Sequence, residues 1–325
     1  MASIFDDKPP IVLNELAGLS ASLDVEIPSK KPNENLLIAT WNIRMFGSLT
    51  KEWDSGNKSP KRNFRAVWAI SEIISRFDVI AVQEVMGNLR ALRNLMQCLG
   101  DEWSFLMTDI TLGDAGNNER IAYLYHNTRV QTSGLASEIV IPPEEINGKN
   151  NGALNRQFAR TPYAVSFKAG KETFILLTAH IDYGKKSADR IPELKAIAKW
   201  MYDWASRSNR WHHNLLALGD FNIDRKGDEL WESFVSTGLT VPDDLQNVPR
   251  TIFTSKSSPQ KEKFYDQIAW FTNKSGKKKL NMKYMKGGYF DFLPLVFKEK
   301  KLSKRSVSFR MSDHFPLWAE FSINN

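Results

Sequence analysis

A single cysteine, Cys98, stands in 325 residues. One thiol excludes an internal disulfide and a thiolate zinc site, and it favours a reducing compartment. No apolar run approaches the roughly 18–20 residues that span a bilayer, and mean hydropathy is −0.39. The first 32 residues hold no secretory signal, because their best apolar stretch is broken by Asn14, Glu15 and Asp24. The expected location is therefore cytoplasmic, with no transmembrane segment. Histidine is scarce as well: His126, His180, His212, His213 and His314 are the five present. His212 and His213 are adjacent, so in extended backbone they face opposite ways and cannot chelate together. The chain has no HExxH pattern, no Walker A lysine loop and no GxSxG elbow, which removes zincin, P-loop and serine-hydrolase chemistry.

What is present describes a globular chain with ample core material, 42% apolar and 25% charged. Wholesale disorder is excluded. The net charge of +7 is unevenly placed: residues 256–310 carry 15 basic and 4 acidic side chains, and the remainder 29 basic and 33 acidic. A basic segment on a near-neutral body is what a polyanion-binding surface needs, although a solvated lysine-rich loop has the same composition.

Residues 1–34, with Pro9, Pro10, Pro28 and Pro32, read as an N-terminal extension of uncertain order, and residues 35–325 as one domain. Apolar runs of strand length recur at Leu36–Trp41, Val79–Val82, Phe105–Met107, Ile121–Tyr125, Tyr163–Phe167, Phe174–Ala179, Leu215–Leu218, Ile268–Phe271 and Pro316–Phe321. Helical spacing appears at Phe64–Phe77, at Leu89–Leu99 with Gly100 as its stop, and at Leu194–Trp204. Strands so exceed helices that a doubly wound sheet or a (β/α)8 barrel is excluded, since each needs about one helix per strand. Runs apolar on both faces predict two packed sheets with helices outside.

The polar residues that terminate these runs carry the functional signal. LLIATWN ends in Asn42, VIAVQE in Gln83 and Glu84, TFILLTAH in His180, and NLLALGDFN in Asp220 and Asn222. FYDQIAWF begins with Asp266, and SDHFPLWAEF with Asp313 and His314. Strand ends and strand starts reach one rim of a mixed sheet when directions alternate. Taken singly, GDFN is an Asx-type turn, Gln83-Glu84 an exposed strand end, Ser312-Asp313-His314 a cap, and His180 a hydrogen-bonded core histidine. Together they would crowd carboxylates that cannot all stay ionised without a cation. A hard divalent ion with oxygen ligands, Mg²⁺ in the first place, answers that crowding.

In order and spacing these motifs resemble the endonuclease/exonuclease/phosphatase superfamily, and within it deoxyribonuclease I and its bacterial relatives. The likeness runs from about Leu36 to Phe321 through TWN, QE, Glu119-Arg120, Arg160 before Thr161-Pro162, the His180 segment, GDFN, YDQI and SDH. It implies a four-layer α/β sandwich, two packed mixed sheets with outer helices and a site at one end. It implies metal ligation by Glu84, helped by Asn42 and Asp313, with Mg²⁺ as cofactor and Mn²⁺ or Ca²⁺ as alternatives. It implies that Asp220 and Asn222 orient the attacking water and the scissile phosphate. His314 with Asp266, and His180 with Glu119, would be the proton-transferring pairs, and Arg160 would hold a substrate phosphate.

The implied activity is metal-dependent phosphodiester hydrolysis, with DNA as substrate and weak sequence specificity. RNA or a small phosphoester is the alternative substrate, including a phosphoinositide hydrolysed by the same centre, and a non-catalytic binding module is the rival class. No protein partner is inferable. In deoxyribonuclease I a groove-reading arginine lies two residues after the metal-binding glutamate; here that position is Met86, and the nearest arginine is Arg90.

Overall fold

The computed structural model describes residues 2–112, 116–141, 157–206, 214–254, 262–272 and 280–323. Two six-stranded sheets face one another. The first contains β1 (Asn35–Phe46), β2 (Val79–Met86), β3 (Trp103–Met107), β4 (Glu119–His126), β11 (Lys283–Tyr289) and β12 (Leu317–Ser322), in the order β11-β12-β1-β2-β4-β3. The second contains β5 (Gln131–Glu138), β6 (Tyr163–Ala169), β7 (Glu172–His180), β8 (Leu215–Asp220), β9 (Leu239–Thr240) and β10 (Asp266–Phe271), in the order β5-β6-β7-β8-β10-β9.

Each sheet has one parallel pair near its middle, β1 with β2 and β7 with β8, and antiparallel neighbours outside it. Parallel neighbours end at the same edge and their antiparallel partners begin there. The ends of β1, β2, β7 and β8 therefore meet the starts of β4, β10 and the segment leading into β12. Register fixes the meeting residue by residue: Asn42 pairs with Gln83, His180 with Asp220, and Asp220 with Asp266.

Alternation along β1 explains the layers. Leu36 and Ile38 join Val79, Ala81 and Tyr123 in the core between the sheets, against Val165, Leu176, Leu216 and Ile268. Leu37, Ala39, Trp41 and Ile43 turn to the other face. There they pack with α1 (Pro10–Glu26), α2 (Phe64–Ile74) and α3 (Arg90–Leu99), which contribute Leu19, Leu23, Val67, Ile70, Leu92 and Leu95. On the second sheet's outer side α4 (Ile191–Ser206) buries Leu194, Ile197 and Met201. Helix, sheet, sheet, helix is the four-layer sandwich that the strand excess and the motif order predict. Asn63 caps α2 by accepting a hydrogen bond from Ala66 N–H at 3.0 Å, and α3 stops at Gly100, whose φ is +86°.

Three strands carry no apolar run in the sequence: β5, β9 and β11. β5 and β11 are sheet-edge strands with largely exposed side chains, and β9 is two residues long, so none needs a continuous hydrophobic stretch. Helix α1 likewise shows little amphipathic signal, yet it is anchored through Glu15, which pairs with buried Arg65 of α2 at 2.5 Å. Among the described residues no helix is long and apolar enough to cross a membrane.

Candidate active site

The rim where the two sheets end together carries the ten residues to which the resemblance gives a role. Asp220, at the end of β8, is the hub and is buried. Its Oδ2 accepts a hydrogen bond from Asn42 Nδ2 at 2.9 Å, and its Oδ1 accepts one from Asn222 N–H at 2.9 Å. Two imidazoles converge on the same Oδ2, with His180 Nε2 at 3.6 Å and His314 Nε2 at 4.0 Å. Burial works against the charge on Asp220, but the facing His314 and His180 and its two donors hold the carboxyl below the usual carboxylate range.

Behind each imidazole stands a carboxylate. His314 Nδ1 lies 2.7 Å from Asp266 Oδ2, a buried hydrogen bond. Burial raises Asp266 to about 6, against the pull of His314. Burial opposes the charge on His314, yet Asp266, Asp220 and Asp313 together raise it to about 10. His180 Nδ1 lies 3.0 Å from Glu119 Oε2, an ion-pair contact that is off the hydrogen-bond direction. Glu119 also faces Arg160 Nε at 2.6 Å. Burial would raise Glu119, but His180, Arg160 and Asn117 hold it below the usual range. Arg160 Nη1 is buried without a partner among the described residues, a donor left over beside the His180 pair.

The remaining residues line the first sheet's end. Glu84 occupies a left-handed backbone conformation (φ +60°), where the β2–β4 register shifts between Val82 and Val85. Its Oε2 accepts the Met45 N–H at 2.7 Å. Met45 (φ +44°) and Asn222 (φ +50°) are also left-handed, so strained non-glycine backbone clusters at this rim. Asp313 Oδ2 lies 3.4 Å from Arg44 Nη1. Asn42 Oδ1 is buried and accepts no hydrogen bond among the described residues, an unused hard-oxygen donor. Asn42, Glu84 and Asp313 each offer oxygen, the donor type that suits Mg²⁺ better than zinc.

Asp220, Asp266 and His314 form a second cluster with metal-ligand chemistry, their donor atoms within 4.8 Å of one another. His314 Nδ1 is engaged by Asp266, which leaves Nε2 as the ring nitrogen that could face an ion beside Asp220.

Both histidines are buried: His180 is 5% and His314 8% exposed. Asn222 spends its side-chain N–H on Ile181 O at 2.6 Å, which ties the GDFN turn to the end of β7. The basic segment is also divided. Lys283 and Lys286 pair with Ser322 and Glu320, towards the end of β12 farthest from the rim, whereas Ser308 reaches Arg44 at the site. Lys277, Lys278 and Lys279 lie outside the described residues, as do His212 and His213.

The contacts that support these residues, and Arg62 altogether, show only in the structure. Gln83 Nε2 donates to Thr40 Oγ1 at 3.1 Å and Thr178 Oγ1 at 3.0 Å, bridging the two sheets beneath the site. Arg62 is buried and donates to the carbonyls of Arg44, Met45, Arg310 and Met311, clamping the two backbone segments next to Glu84 and Asp313. Ser312 Oγ donates to Asn42 O at 2.6 Å. Tyr265 stacks on His314 with ring centroids 5.7 Å apart and an interplanar angle of 25°. Gln83, Ser312 and Tyr265 had a local signal, in QE, SDH and YDQI, whereas Arg62 had none.

Gly219 explains why the GDFN turn begins with glycine. Its φ is +140°, and a Cβ there would stand 2.2 Å from Ala179 O. Gly219→Ala should cost more than about 2 kcal/mol and displace Asp220. Urea unfolding with near-native stability and unaltered turnover would show that the strand pair tolerates the methyl group.

Comparison with known proteins agrees with this geometry. Residues 39–258 match the model of the Endonuclease/Exonuclease/phosphatase family. A deoxyribonuclease from Thioalkalivibrio sp. (strain K90mix) is 30% identical over 195 residues, covering 58% of this chain and 46% of that relative, so the chain spans about half its length. An endonuclease/exonuclease/phosphatase family protein from Bacteroides thetaiotaomicron superposes with a TM-score of 0.59 at 15% identity, over 89% of this chain and 98% of that one. A mannosyl-6-phosphatase from Bacteroides thetaiotaomicron VPI-5482 gives 0.56 at 16% identity, over 88% and 99%. D. rerio TDP2, complexed with single-strand DNA product, gives 0.55 at 13% identity, over 88% and 98%. These structural likenesses establish the sandwich alone. The family model covers most of the sandwich, and with it the rim from Asn42 to Asn222, so the chain belongs to the endonuclease/exonuclease/phosphatase family of phosphoester hydrolases.

Proposed function

We propose that this chain is a divalent-cation-dependent phosphodiesterase that cuts DNA endonucleolytically with little sequence preference. One observation supports the reading above the rest: two imidazoles, each backed by a carboxylate, converge on Asp220. A simple binding module has no use for two proton-transfer pairs facing one carboxylate.

Family enzymes generally use a divalent metal. Glu84, Asn42 and Asp313 would hold Mg²⁺, with Mn²⁺ or Ca²⁺ as substitutes; a bound ion supplies positive charge against the charge that builds on the phosphoryl oxygens. Asp220 orients the attacking water and the scissile phosphate, and Asn222 assists from the turn that its bond to Ile181 O fixes. His314 and His180 move protons to or from water and leaving group; Asp266 orients the His314 ring through its hydrogen bond, and Glu119 holds His180 as an ion-pair partner. The unpartnered Nη1 of Arg160 supports a phosphate-holding role.

DNA is favoured by the deoxyribonuclease relative and by a groove of about 630 Å³ beside Gly87 and Asn88, lined by Lys51, Arg90 and Arg93 with no carboxylate. Arg90 thus stands in a cationic groove three residues after Gly87, although Met86 replaces the groove-reading arginine. Phosphate contacts without base contacts bind unselectively and displace counterions. The apparent KM on DNA should therefore climb steeply with salt, and cleavage sites should be broadly distributed.

A small phosphomonoester is the competing substrate, since the fold is shared with a mannosyl-6-phosphatase. Steady-state kcat/KM for duplex DNA, RNA, an inositol phosphate and a hexose 6-phosphate separates the two. DNA should be the best substrate; a hexose or inositol phosphate turned over better than any nucleic acid overturns the nuclease reading.

A further inference from the structure

Tyr183 stands three residues beyond His180, on the loop leaving β7, and its ring is 50% exposed. An exposed tyrosine is ordinary, but this one is held from three directions. The Arg190 guanidinium lies 4.0 Å from the ring centroid, covering one face. Arg190 Nε donates to Tyr183 O at 2.7 Å, and Arg190 Nη1 donates to Asn222 O at 2.7 Å. Tyr265 meets the ring at 79°, with centroids 6.4 Å apart, and Tyr265 itself stacks on His314. Arg190 is buried, so the support is rigid.

The ring is thus fixed to the Asn222 backbone and lies two ring contacts from His314, with a cation over one face and half of the residue exposed to solvent. A flat π surface of this kind accepts a nucleobase, because every base has a π face and stacking needs no hydrogen-bond readout. Guanidinium backing adds a favourable cation–π contact behind the ring. The group bonded directly to a scissile phosphate lies next to the catalytic imidazoles. A surface one ring farther out suits the next residue of a polymer, and a phosphomonoester of one sugar has no such residue.

We infer that Tyr183 is a base-stacking platform that takes an unstacked nucleobase flanking the scissile phosphate. The inference rests on the nuclease reading for its biological sense, but it can be measured apart from cleavage. Ring stacking on aromatic side chains, removed by alanine, typically changes affinity about 5- to 150-fold. Tyr183→Ala should raise KM on a single-stranded oligonucleotide by that factor, and Tyr183→Trp should restore it. A methyl p-nitrophenyl phosphate diester, which has no base to stack, should lose far less in kcat/KM.

Binding is read independently with an oligonucleotide carrying 2-aminopurine, whose fluorescence drops on stacking, in EDTA so that no turnover intervenes. The wild-type chain should quench it and Tyr183→Ala should not. Quenching that survives Tyr183→Ala, or equal losses on oligonucleotide and small diester, overturns the platform. Tyr183-dependent quenching in a protein that cuts no nucleic acid would keep the platform and discard the nuclease reading.

Discussion

Replacing Glu84 by glutamine is expected to lower turnover on the order of 10²- to 10³-fold, the loss that follows removal of a preorganised charge from a centre where negative charge develops. The substitution is nearly isosteric, and its amide oxygen can still accept the Met45 N–H that now meets Glu84 Oε2 at 2.7 Å. What disappears is the negative charge proposed to hold the cation together with Asn42 and Asp313. Divalent-ion affinity should fall with it, measured by Mn²⁺ titration of the protein without substrate. EDTA should reproduce the loss in the wild-type chain. A Glu84→Gln protein of normal rate and normal Mn²⁺ affinity would remove Glu84 from the metal site.

His314→Ala and His180→Ala should each lose roughly 10²–10⁴-fold in rate, the usual range for general acid–base groups. The two differ in their structural cost. His314 is the partner of Asp266, a fully buried carboxylate that alanine would leave unpaired. His180 leaves Glu119 still facing Arg160 at 2.6 Å. His314→Ala should therefore be the less stable variant, and Asp266→Asn with His314 retained keeps the fold while disturbing the tautomer. Circular dichroism and urea melts beside the rates separate the effects. Should His180→Ala keep most of its activity, that imidazole serves structure, and its proton-transfer role is wrong.

The sandwich was legible because its central strands are buried on both faces and read as apolar runs, from Leu36–Trp41 to Ile268–Phe271. Edge strands β5 and β11 were silent for the opposite reason: exposed side chains carry no burial pattern. Most rim residues were legible because they interrupt an apolar run at its end, as Asn42, Glu84, His180 and Asp220 do, or open one, as Asp266 does; Glu119 and Arg160 were reached only through the resemblance to the family. Arg62 and Arg190 could not be read in this way. They act through backbone carbonyls, on residues as distant in sequence as Met311 is from Arg62, and a carbonyl has no letter in the sequence. Thr40 and Thr178 were hidden too, since a threonine inside an apolar strand looks like any β-former until Gln83 is seen between them.

Conversion of supercoiled plasmid to the nicked circle by the purified chain, at low ionic strength with Mg²⁺ and in parallel with EDTA, tests the proposed chemistry most directly. Nicking in Mg²⁺, its disappearance in EDTA and its loss when His180 and His314 are both alanine are the expected results. Plasmid left supercoiled in both Mg²⁺ and Mn²⁺, while the same preparation releases phosphate from an inositol or hexose phosphate, would contradict it.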